Sequence, residues 1–339
     1  MSKDWSEYRG DASSWNHFIE HNSYEFRQLY EWGEYKRKLG WQVIRLIYGS
    51  EGNIEAAAQI LFRKKFMLGN LFIPGGICGD LSFINKDFYE ILRRLLNVRY
   101  IYLRLDFVEH DDVAKREHLI NQGFKRPLYS LNTLEYCELD LKKSNDTILA
   151  EAKSKWRYHH KKSLSNEILL ETESCSDDYI KLNQELSTQW NIRNTFTSRE
   201  VDPLIVIMDE KLITCTAKDK EGNLLGLRVA IISGNKAYHL YNAVSSSGRE
   251  FLPGYRLLIY MIDVLRKKGI ENFNIGSTNE FRFPGPYRFK TGIGYKESLY
   301  TSLGEWNYTD SAIFEKLVNF FIRVYFNSSS LVRKFIKNF

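Results

Sequence analysis

The sequence feature that most constrains the fold is an order of predicted elements that occurs twice. In the first half, helical patterns at residues 15–40 precede β-rich runs at 41–48, 54–62 and 71–73, a helix at 88–96 and a strand at 100–107. In the second half, helical patterns at 140–162 and 177–190 precede strands at 212–217, 224–233 and 236–243, a helix at 254–267 and a strand at 272–275. This order predicts an α+β fold made of two similar modules, each a mixed sheet flanked by helices.

The chain of 339 residues is long enough for two domains of ordinary size. We expect a first domain at 1–143 and a second at 144–305. Residues 306–339 form a helical tail with apolar side chains at helical spacing, namely Phe314, Leu317, Val318, Phe321 and Tyr325. The tail is expected to pack back on the first domain, and contact with a membrane surface is the alternative.

Charge and cysteine usage limit the classes of ligand. The net charge of +6 favours anionic ligands such as nucleotide phosphates, but it is too dispersed to indicate DNA binding. The four cysteines lie far apart and show no metal-site spacing, so we expect reduced thiols and no metal. The sequence shows neither a signal peptide nor an apolar run of transmembrane length, which predicts a cytoplasmic protein without stable membrane insertion.

The segment Tyr-Arg-Phe-Lys-Thr-Gly-Ile-Gly-Tyr at residues 287–295 is the clearest candidate for chemistry. An aromatic residue beside a lysine, followed by two glycines, predicts a tight turn that presents one fixed cation, Lys290. Such a cation can polarise a carbonyl group or hold a phosphate. The candidate proton acceptors near strand ends or loops are Glu280, Asp106 and His239.

Two further segments are candidates for phosphate binding. Residues 251–256 form a strand-to-helix turn with free backbone N–H groups, and Leu252, Gly254, Tyr255, Arg249 and Arg256 are its candidate donor-binding residues. An ordinary capped helix is the alternative. The basic run at 157–162 is either a solvated helix face or a surface for a phosphate or a tRNA acceptor stem.

Five segments in sequence order resemble the Fem-type aminoacyltransferases, which have a tandem acetyltransferase-like (GNAT) fold. They are Trp-Gly-Glu-Tyr-Lys at 32–36 with Gly-Trp at 40–41, Pro-Gly-Gly at 74–76, a strand at 133–141, a basic helix at 153–162, and Phe-Lys at 289–290 with its following glycine. The resemblance covers residues 15–305 and implies two tandem GNAT-like domains, with the donor site in the second.

The resemblance also implies roles for individual residues. Lys36 and Trp41 match positions that hold the nucleotide diphosphate and base of the acceptor, and Tyr241 matches an aromatic residue of the same cleft. Phe289 and Lys290 match the pair nearest to acyl transfer. Related enzymes carry an arginine for the acceptor phosphate where this chain has Gln-Trp-Asn-Ile-Arg at 189–193. Arg193 therefore replaces it from a shifted position, or the acceptor differs.

Function is predicted as direct acyl transfer, because the sequence shows no Ser-His-Asp, Cys-His or metal constellation. We expect an N-acyltransferase that moves an acyl group from acyl-coenzyme A, its co-substrate, to the amine of a nucleotide-linked amino deoxyhexose in surface polysaccharide biosynthesis. The alternatives are an aminoacyl-tRNA-dependent transferase that builds peptidoglycan cross-bridges, and a non-catalytic module that binds nucleotide sugars.

Overall fold

A computed structural model of the protein describes residues 4–23, 25–130, 132–172, 175–190, 197–281, 284–294 and 298–327. The chain divides into two compact units, which we call unit 1 (residues 1–134 and 301–339) and unit 2 (residues 135–300). These boundaries differ from the 143/144 and 305/306 positions expected from the sequence. The difference arises because the strand Glu135–Asp140 pairs within unit 2, and because residues from Ser302 onward pair within unit 1.

Unit 1 contains the first helices and strands and the C-terminal strand and helix of the described chain. Its elements are β1 (Trp5–Glu7), α1 (Ala12–Asn22), α2 (Tyr30–Lys38), β2 (Gln42–Ser50), β3 (Asn53–Lys65), β4 (Leu68–Pro74), β5 (Cys78–Gly79), α3 (Lys86–Leu96), β6 (Tyr100–His110), α4 (Val113–Asn121), β13 (Leu299–Thr309) and α11 (Ala312–Asn327). Asp11, Asn85 and Asp112 accept backbone N–H bonds at the starts of α1, α3 and α4, as N-cap residues do.

The sheet of unit 1 is a meander extended by a parallel strand. Its order is β1-β2-β3-β4-β6-β13. Strands β2, β3 and β4 pair antiparallel, and α3 connects β4 to its parallel neighbour β6 by way of β5. The β4–β6 pair is continuous from Leu68 and Tyr100 to Pro74 and Asp106. These strands stay together along their whole length, so no gap opens between them.

The core of unit 1 lies between its sheet and α3. Phe88 and Leu92 of α3 are fully buried against strand residues such as Leu71 and Leu103. The tail helix α11 packs on the opposite face of this sheet, since the Phe314 ring lies 6.3 Å from that of Tyr102, which alternates with the core residues Ile101 and Leu103 on β6. Among the described helices, none is both long enough and apolar enough to cross a membrane.

Unit 2 repeats this plan. Its elements are β7 (Glu135–Asp140), α5 (Asn145–Glu151), α6 (Ser154–Leu164), β8 (Leu169–Thr172), α7 (Ser176–Trp190), α8 (Ser198–Met208), β9 (Leu212–Lys218), β10 (Leu224–Ser233), β11 (Lys236–Val244), α9 (Pro253–Lys267), β12 (Asn272–Thr278) and α10 (Pro284–Ile293). The helical pattern predicted at 140–162 is thus a strand end and two helices. The break lies at Ala152 and Lys153, whose backbones are extended.

The sheet of unit 2 contains a divergence that unit 1 lacks. Its order is β8-β9-β10-β11-β12-β7, and β11 and β12 are the parallel pair joined by α9. They pair only from Lys236–Asn272 to Tyr238–Asn274. Beyond that point β11 shifts register against β10, and Gly276 on β12 adopts a φ of 92°. The two strands separate there, so the backbones of β11 and β12 are no longer paired beyond Tyr238 and Asn274.

Candidate functional site

Lys290, the predicted catalytic lysine, lies on a helix and not in the tight turn that the two following glycines predicted. Lys290 belongs to α10, which begins at Pro284 and continues to Ile293. Neither Gly292 nor Gly294 has a positive φ. Instead, a β-carbon at Gly292 would lie 2.8 Å from Cδ1 of Trp156, and one at Gly294 would lie 2.1 Å from Sγ of Cys137. These glycines therefore allow close packing of α10 on its neighbours.

The Lys290 side chain lies in the gap between β11 and β12. Its Nζ donates a 2.9 Å hydrogen bond to the carbonyl oxygen of Ser277 on β12. A β-carbon at Gly276 would lie 2.9 Å from this Nζ and 3.2 Å from Cδ2 of His239 on β11. The missing side chain of Gly276 thus leaves the space in which the ammonium group and the imidazole meet.

The surroundings of Lys290 favour its neutral form and so lower its pKa. Burial, then the positive charge of Arg228, lowers the pKa of Lys290 to about 8, and the thiol of Cys137 opposes the shift. Burial together with Lys290 and Arg228 lowers the pKa of His239 well below its ordinary value. His239 is therefore neutral at pH 7 and suits hydrogen bonding better than proton abstraction. Lys290 remains largely protonated but can release a proton near neutral pH.

Phe289 belongs to an aromatic cluster that connects three helices of unit 2. Its ring lies 5.1 Å from that of Tyr255 on α9 and 5.9 Å from that of Trp156 on α6. Tyr255 also lies 5.1 Å from Trp156. The predicted donor residue Tyr255 and the predicted catalytic residue Phe289 are thus in direct contact, and both fix α10 against α6 and α9.

The predicted donor turn has little free capacity for a pyrophosphate. Helix α9 begins with Pro253, which has no N–H, and Leu252 before it is held at a φ of 55°. The carboxylate of Glu185 on α7 accepts a hydrogen bond from the Ser246 N–H. Further N–H groups along the turn are satisfied within the protein, namely those of Gly248, Arg249, Leu252 and Tyr255. A carboxylate at this turn repels an anion, and its N–H groups are largely occupied.

The remaining predicted donor residues do not converge on one point. Arg249 is exposed, whereas Arg256 is half-buried and donates to the carbonyl oxygen of Asn166 at 3.2 Å. Burial lowers the pKa of Arg256. A β-carbon added at Gly254 would lie in ordinary contact with Val244, at 3.9 Å. This turn therefore resembles a capped helix start more than a completed phosphate cradle.

Helix α6 presents a face of one charge sign. Its sequence, SKWRYHHKKSL, contains no acidic residue. The exposed side is formed by Lys155, Arg157, Lys161 and Lys162 around Tyr158, whose side chain is 62% exposed. Clustered cations around an exposed aromatic residue are typical of surfaces that bind nucleic acid.

The predicted acceptor residues Lys36 and Trp41 are neighbours in unit 1. The Trp41 N–H donates to the carbonyl oxygen of Lys36 at 3.1 Å. The Lys36 ammonium lies 4.4 Å from the centre of the Trp32 ring, and the guanidinium of Arg63 lies 4.5 Å from that of Trp41. The structure thus places one cation over each of two indoles, and the half-buried Trp41 with its guanidinium neighbour suits a ligand with a planar ring and a phosphate.

Tyr241 and Glu280 make no recorded contact with Lys290 in the described part of the chain. Tyr241 stacks on Tyr179 of α7 with ring centres 6.3 Å apart. It pairs with Val229, whereas His239 pairs with the next residue of β10, so the two lie on opposite faces of the sheet. Glu280 is exposed in the turn after β12. Arg193 lies outside the described residues.

Asp106, a candidate base, has a structural partner in unit 1. Its Oδ2 is 2.5 Å from Nη1 of Arg27, and it also accepts from the amide of Asn132. The backbone carbonyl of Asp106 accepts from Gly75 N–H in the Pro-Gly-Gly loop. The Asp106 carboxylate therefore has a structural role in unit 1, where its hydrogen-bond partners hold it in place.

The sequence interpretation missed Arg228, which contributes to the environment of Lys290. Arg228 lies on β10 with only 3% of its surface exposed, and its guanidinium carbon is 5.6 Å from the centre of the Phe289 ring. A charged residue inside the apolar run Leu-Gly-Leu-Arg-Val-Ala-Ile-Ile is the signal that could have found it. Within the described part of the chain, no group of three or more His, Cys, Asp or Glu residues is arranged to hold a metal ion.

Curated relatives match part of the chain, whereas no family model matches it. A Lipid II:glycine glycyltransferase of Staphylococcus epidermidis is 30% identical over 95 residues, which is 26% of this chain and 22% of that protein. The corresponding protein of Staphylococcus saprophyticus is 29% identical over 70 residues, or 21% of this chain and 17% of that protein. The chain thus matches less than a quarter of the length of these relatives.

Solved structures match nearly the whole chain. The crystal structure of FemX aligns with a TM-score of 0.77 at 17% identity and covers 93% of this chain and 100% of that one. A tandem GNAT protein from the clavulanic acid biosynthesis pathway aligns with a TM-score of 0.54 at 12% identity, over 91% of this chain and 99% of that one. The predicted fold class and Fem-type resemblance are confirmed, and the relatives agree with the predicted acyltransferase class.

The predicted substrates are wrong. The curated relatives are lipid II glycyltransferases, so they contradict acyl-coenzyme A as co-substrate and a nucleotide-linked amino deoxyhexose as acceptor. A role in surface polysaccharide biosynthesis is likewise unsupported. The structure offers a physical reason, because Pro253 and the Glu185 carboxylate leave the donor turn poorly suited to the pyrophosphate of coenzyme A.

Proposed function

We propose that this Fem-type tandem GNAT protein is an aminoacyltransferase that moves an amino acid from aminoacyl-tRNA to an amine on the peptide of a lipid-linked peptidoglycan precursor. The proposal takes its substrate class from the lipid II glycyltransferases that the chain resembles over a quarter of its length. It places the protein in the cytoplasm, where charged tRNA is available, and the donor site in unit 2.

The observation that carries the proposal is that a cationic helix packs directly against the helix that holds Lys290. The exposed side of α6 is basic, and its buried side contacts α10 through Trp156 and Phe289. The Lys153 N–H also donates to the carbonyl oxygen of Gly292 at 2.7 Å. A nucleic acid bound along α6 would therefore lie one helix away from Lys290, which is the separation that a single-stranded acceptor end can span.

The reaction needs an activated carbonyl, an attacking amine and a stabilised oxyanion. The neutral amine of the acceptor attacks the ester carbonyl carbon, forming the C–N bond of the new amide. As the tetrahedral intermediate collapses, the C–O bond to the terminal ribose breaks, and the proton lost by nitrogen finally resides on that ribose oxygen. Lys290, protonated below its pKa of about 8, can donate a hydrogen bond to the developing oxyanion.

The donor preference follows from comparing the two candidate phosphate sites. The turn before α9 is unfavourable for an anion, because Pro253 has no N–H, the Glu185 carboxylate already occupies the turn, and other backbone N–H groups are bonded within the protein. Helix α6 offers clustered cations with no carboxylate. A long polyanion gains affinity from many weak phosphate contacts, so the α6 surface suits tRNA. A single pyrophosphate needs a few well-aimed donors, which the turn largely lacks.

Lys36 and Trp41 of unit 1 are proposed to hold the acceptor. The half-buried Trp41 indole, with the Arg63 guanidinium 4.5 Å from its ring centre, can stack on a planar or saccharide ring while a cation meets a phosphate group. This assignment extends the family resemblance and is independent of the donor. Substitution of Trp41 by alanine should therefore weaken acceptor binding and leave tRNA binding unchanged.

The test compares two double variants with the same change in charge. Lys161→Gln/Lys162→Gln neutralises part of the α6 face, and Lys267→Gln/Lys268→Gln neutralises two exposed lysines at the end of α9 in the same unit. Filter binding of unacylated tRNA across a salt series should show about a 10-fold weaker affinity and a shallower salt dependence for the α6 variant alone. Equal affinities for the two variants would contradict the proposed donor surface.

A further inference from the structure

Arg228 is a buried cation that lacks an anionic partner among the described residues. It is 3% exposed, in the middle of β10, and its Nε has no hydrogen-bond partner within the part of the chain that the structure describes. An isolated charge is costly to bury, and proteins ordinarily pair such groups. Arg45 of unit 1 shows the usual solution, because its guanidinium bonds Gln59, Glu34 and the Tyr30 carbonyl.

The neighbours of Arg228 supply an aromatic ring but no carboxylate in the described part of the chain. The ring of Phe289 lies 5.6 Å from its guanidinium carbon. On the flanking strands, Arg228 pairs with Cys215 and Asn242, neither of which is a carboxylate. The second cation of the site, the half-buried Lys290, hydrogen-bonds a neutral carbonyl oxygen. A buried and a half-buried cation thus occur at one site, and no carboxylate in the described part of the chain pairs with either.

The imidazole beside them is also incompletely bonded. Nδ1 of His239 is buried without a hydrogen-bond partner among the described residues. His239 pairs with Ala230, two residues along β10 from Arg228, so Arg228 and His239 lie on the same face of the sheet. Unpaired polar atoms on one face, beside the divergence of β11 and β12, indicate a position that a ligand completes.

We infer that Arg228 and Lys290 together form an anion site, and that the anion is the carbonyl oxygen of the transferred acyl group as it becomes negatively charged. This inference rests on the proposed function for the identity of the anion. Direct transfer without a covalent intermediate depends strongly on oxyanion stabilisation, and such sites ordinarily use two donors. Lys290 supplies one donor, and Arg228 supplies the second charge.

We expect Arg228 to lower the stability of the folded protein and to raise the transfer rate. Arg228→Met keeps the length of the side chain and removes a buried charge without leaving another charge unpaired. The melting temperature of this variant should rise. By contrast, Arg45→Met removes a partnered guanidinium, takes the donor from the Gln59 side-chain oxygen and leaves Glu34 with its longer, 3.5 Å pair to Arg37, so the melting temperature of this variant should fall.

The kinetic test uses full-length protein, an aminoacyl-tRNA and lipid II under single-turnover conditions. Arg228→Met should lower the saturated transfer rate about 100-fold, while its affinity for aminoacyl-tRNA stays within about 2-fold of wild type, and Arg228→Lys should recover part of the rate. A loss of donor affinity with an unchanged saturated rate would assign Arg228 to a ground-state phosphate and overturn the inference. An unchanged rate and affinity would overturn it as well.

A separate measurement distinguishes failure of the inference from failure of the proposed function. Inorganic sulfate should raise the melting temperature of wild type more than that of Arg228→Met, because the anion binds between the two cations. This result requires no substrate. If wild type transfers no amino acid but sulfate still stabilises it through Arg228, the proposed function fails and the anion site stands. If Arg228→Met is less stable than wild type and responds equally to sulfate, the anion site fails.

Discussion

Substitution of Lys290 by methionine should make the protein more stable at neutral pH while removing its activity. The pKa of Lys290 is lowered from 10.5 to about 8, chiefly by burial. One pKa unit corresponds to about 1.4 kcal/mol, so holding this side chain charged costs the folded state about 3 kcal/mol. Losing the hydrogen bond to Ser277 offsets about 1 kcal/mol of the gain. The net expectation for Lys290→Met is about 2 kcal/mol of added stability at pH 7.

The stability difference between wild type and Lys290→Met should decrease as the pH rises above about 8. Below about pH 8, both folded and unfolded wild type hold the proton, and the cost is fully present. Between about pH 8 and the unfolded value of 10.5, the folded state has released the proton while the unfolded state keeps it. The unfolding free energy of wild type therefore rises with pH in this window. By pH 9.5 it should gain about 2 kcal/mol relative to the variant, so the difference nearly vanishes.

The assay is urea denaturation followed by far-UV circular dichroism at several pH values from 7 to 9.5. The matched control is Lys268→Met, an exposed lysine of the same unit, for which no pH-dependent difference from wild type is expected. The reasoning is refuted if Lys290→Met is less stable than wild type at pH 7. A stability difference that stays constant from pH 7 to 9.5 would refute it equally.

Two further substitutions test the positioning of the site and the role of Asp106. Gly276→Ala should lower the transfer rate about 100-fold, because its β-carbon would lie 2.9 Å from Nζ of Lys290 and displace the ammonium group. Gly269 has a similar positive φ but open space around it, so Gly269→Ala should lose about 1 kcal/mol of stability and keep its transfer rate. Asp106→Asn should cost about 3 kcal/mol of unfolding free energy by breaking the buried pair with Arg27. Glu90→Gln, in an exposed pair, should change stability by less than about 0.5 kcal/mol in the same denaturation assay.

The tandem architecture could be predicted because its signals are local. Apolar β-rich runs separated by Gly and Asn turns mark each meander, and an amphipathic helix marks each crossover. Asn97 after α3 and Gly269 after α9 both have the positive φ that such helix ends require. The strand order within each unit then follows from short connections and the single crossover helix.

The local structure around Lys290 could not be predicted because its glycines have a tertiary function. Their spacing suggested a turn, yet Gly292 allows the backbone of α10 to approach Trp156, a residue far away in sequence. The partners of Lys290 come from β10, β11 and β12, and no sequence spacing encodes that convergence. Similarly, Glu185 reaches the donor turn from α7, which a local analysis of the turn cannot reveal.

A transfer assay with two alternative donors decides whether the transferred group comes from tRNA or from coenzyme A. Wild-type protein is incubated with lipid II and either a pool of aminoacyl-tRNA or acetyl-coenzyme A, and the lipid-linked product is analysed by mass spectrometry. We expect an added aminoacyl mass with the tRNA pool and no product with acetyl-coenzyme A. Acetylation of an acceptor amine, without any transfer from the tRNA pool, would contradict this expectation.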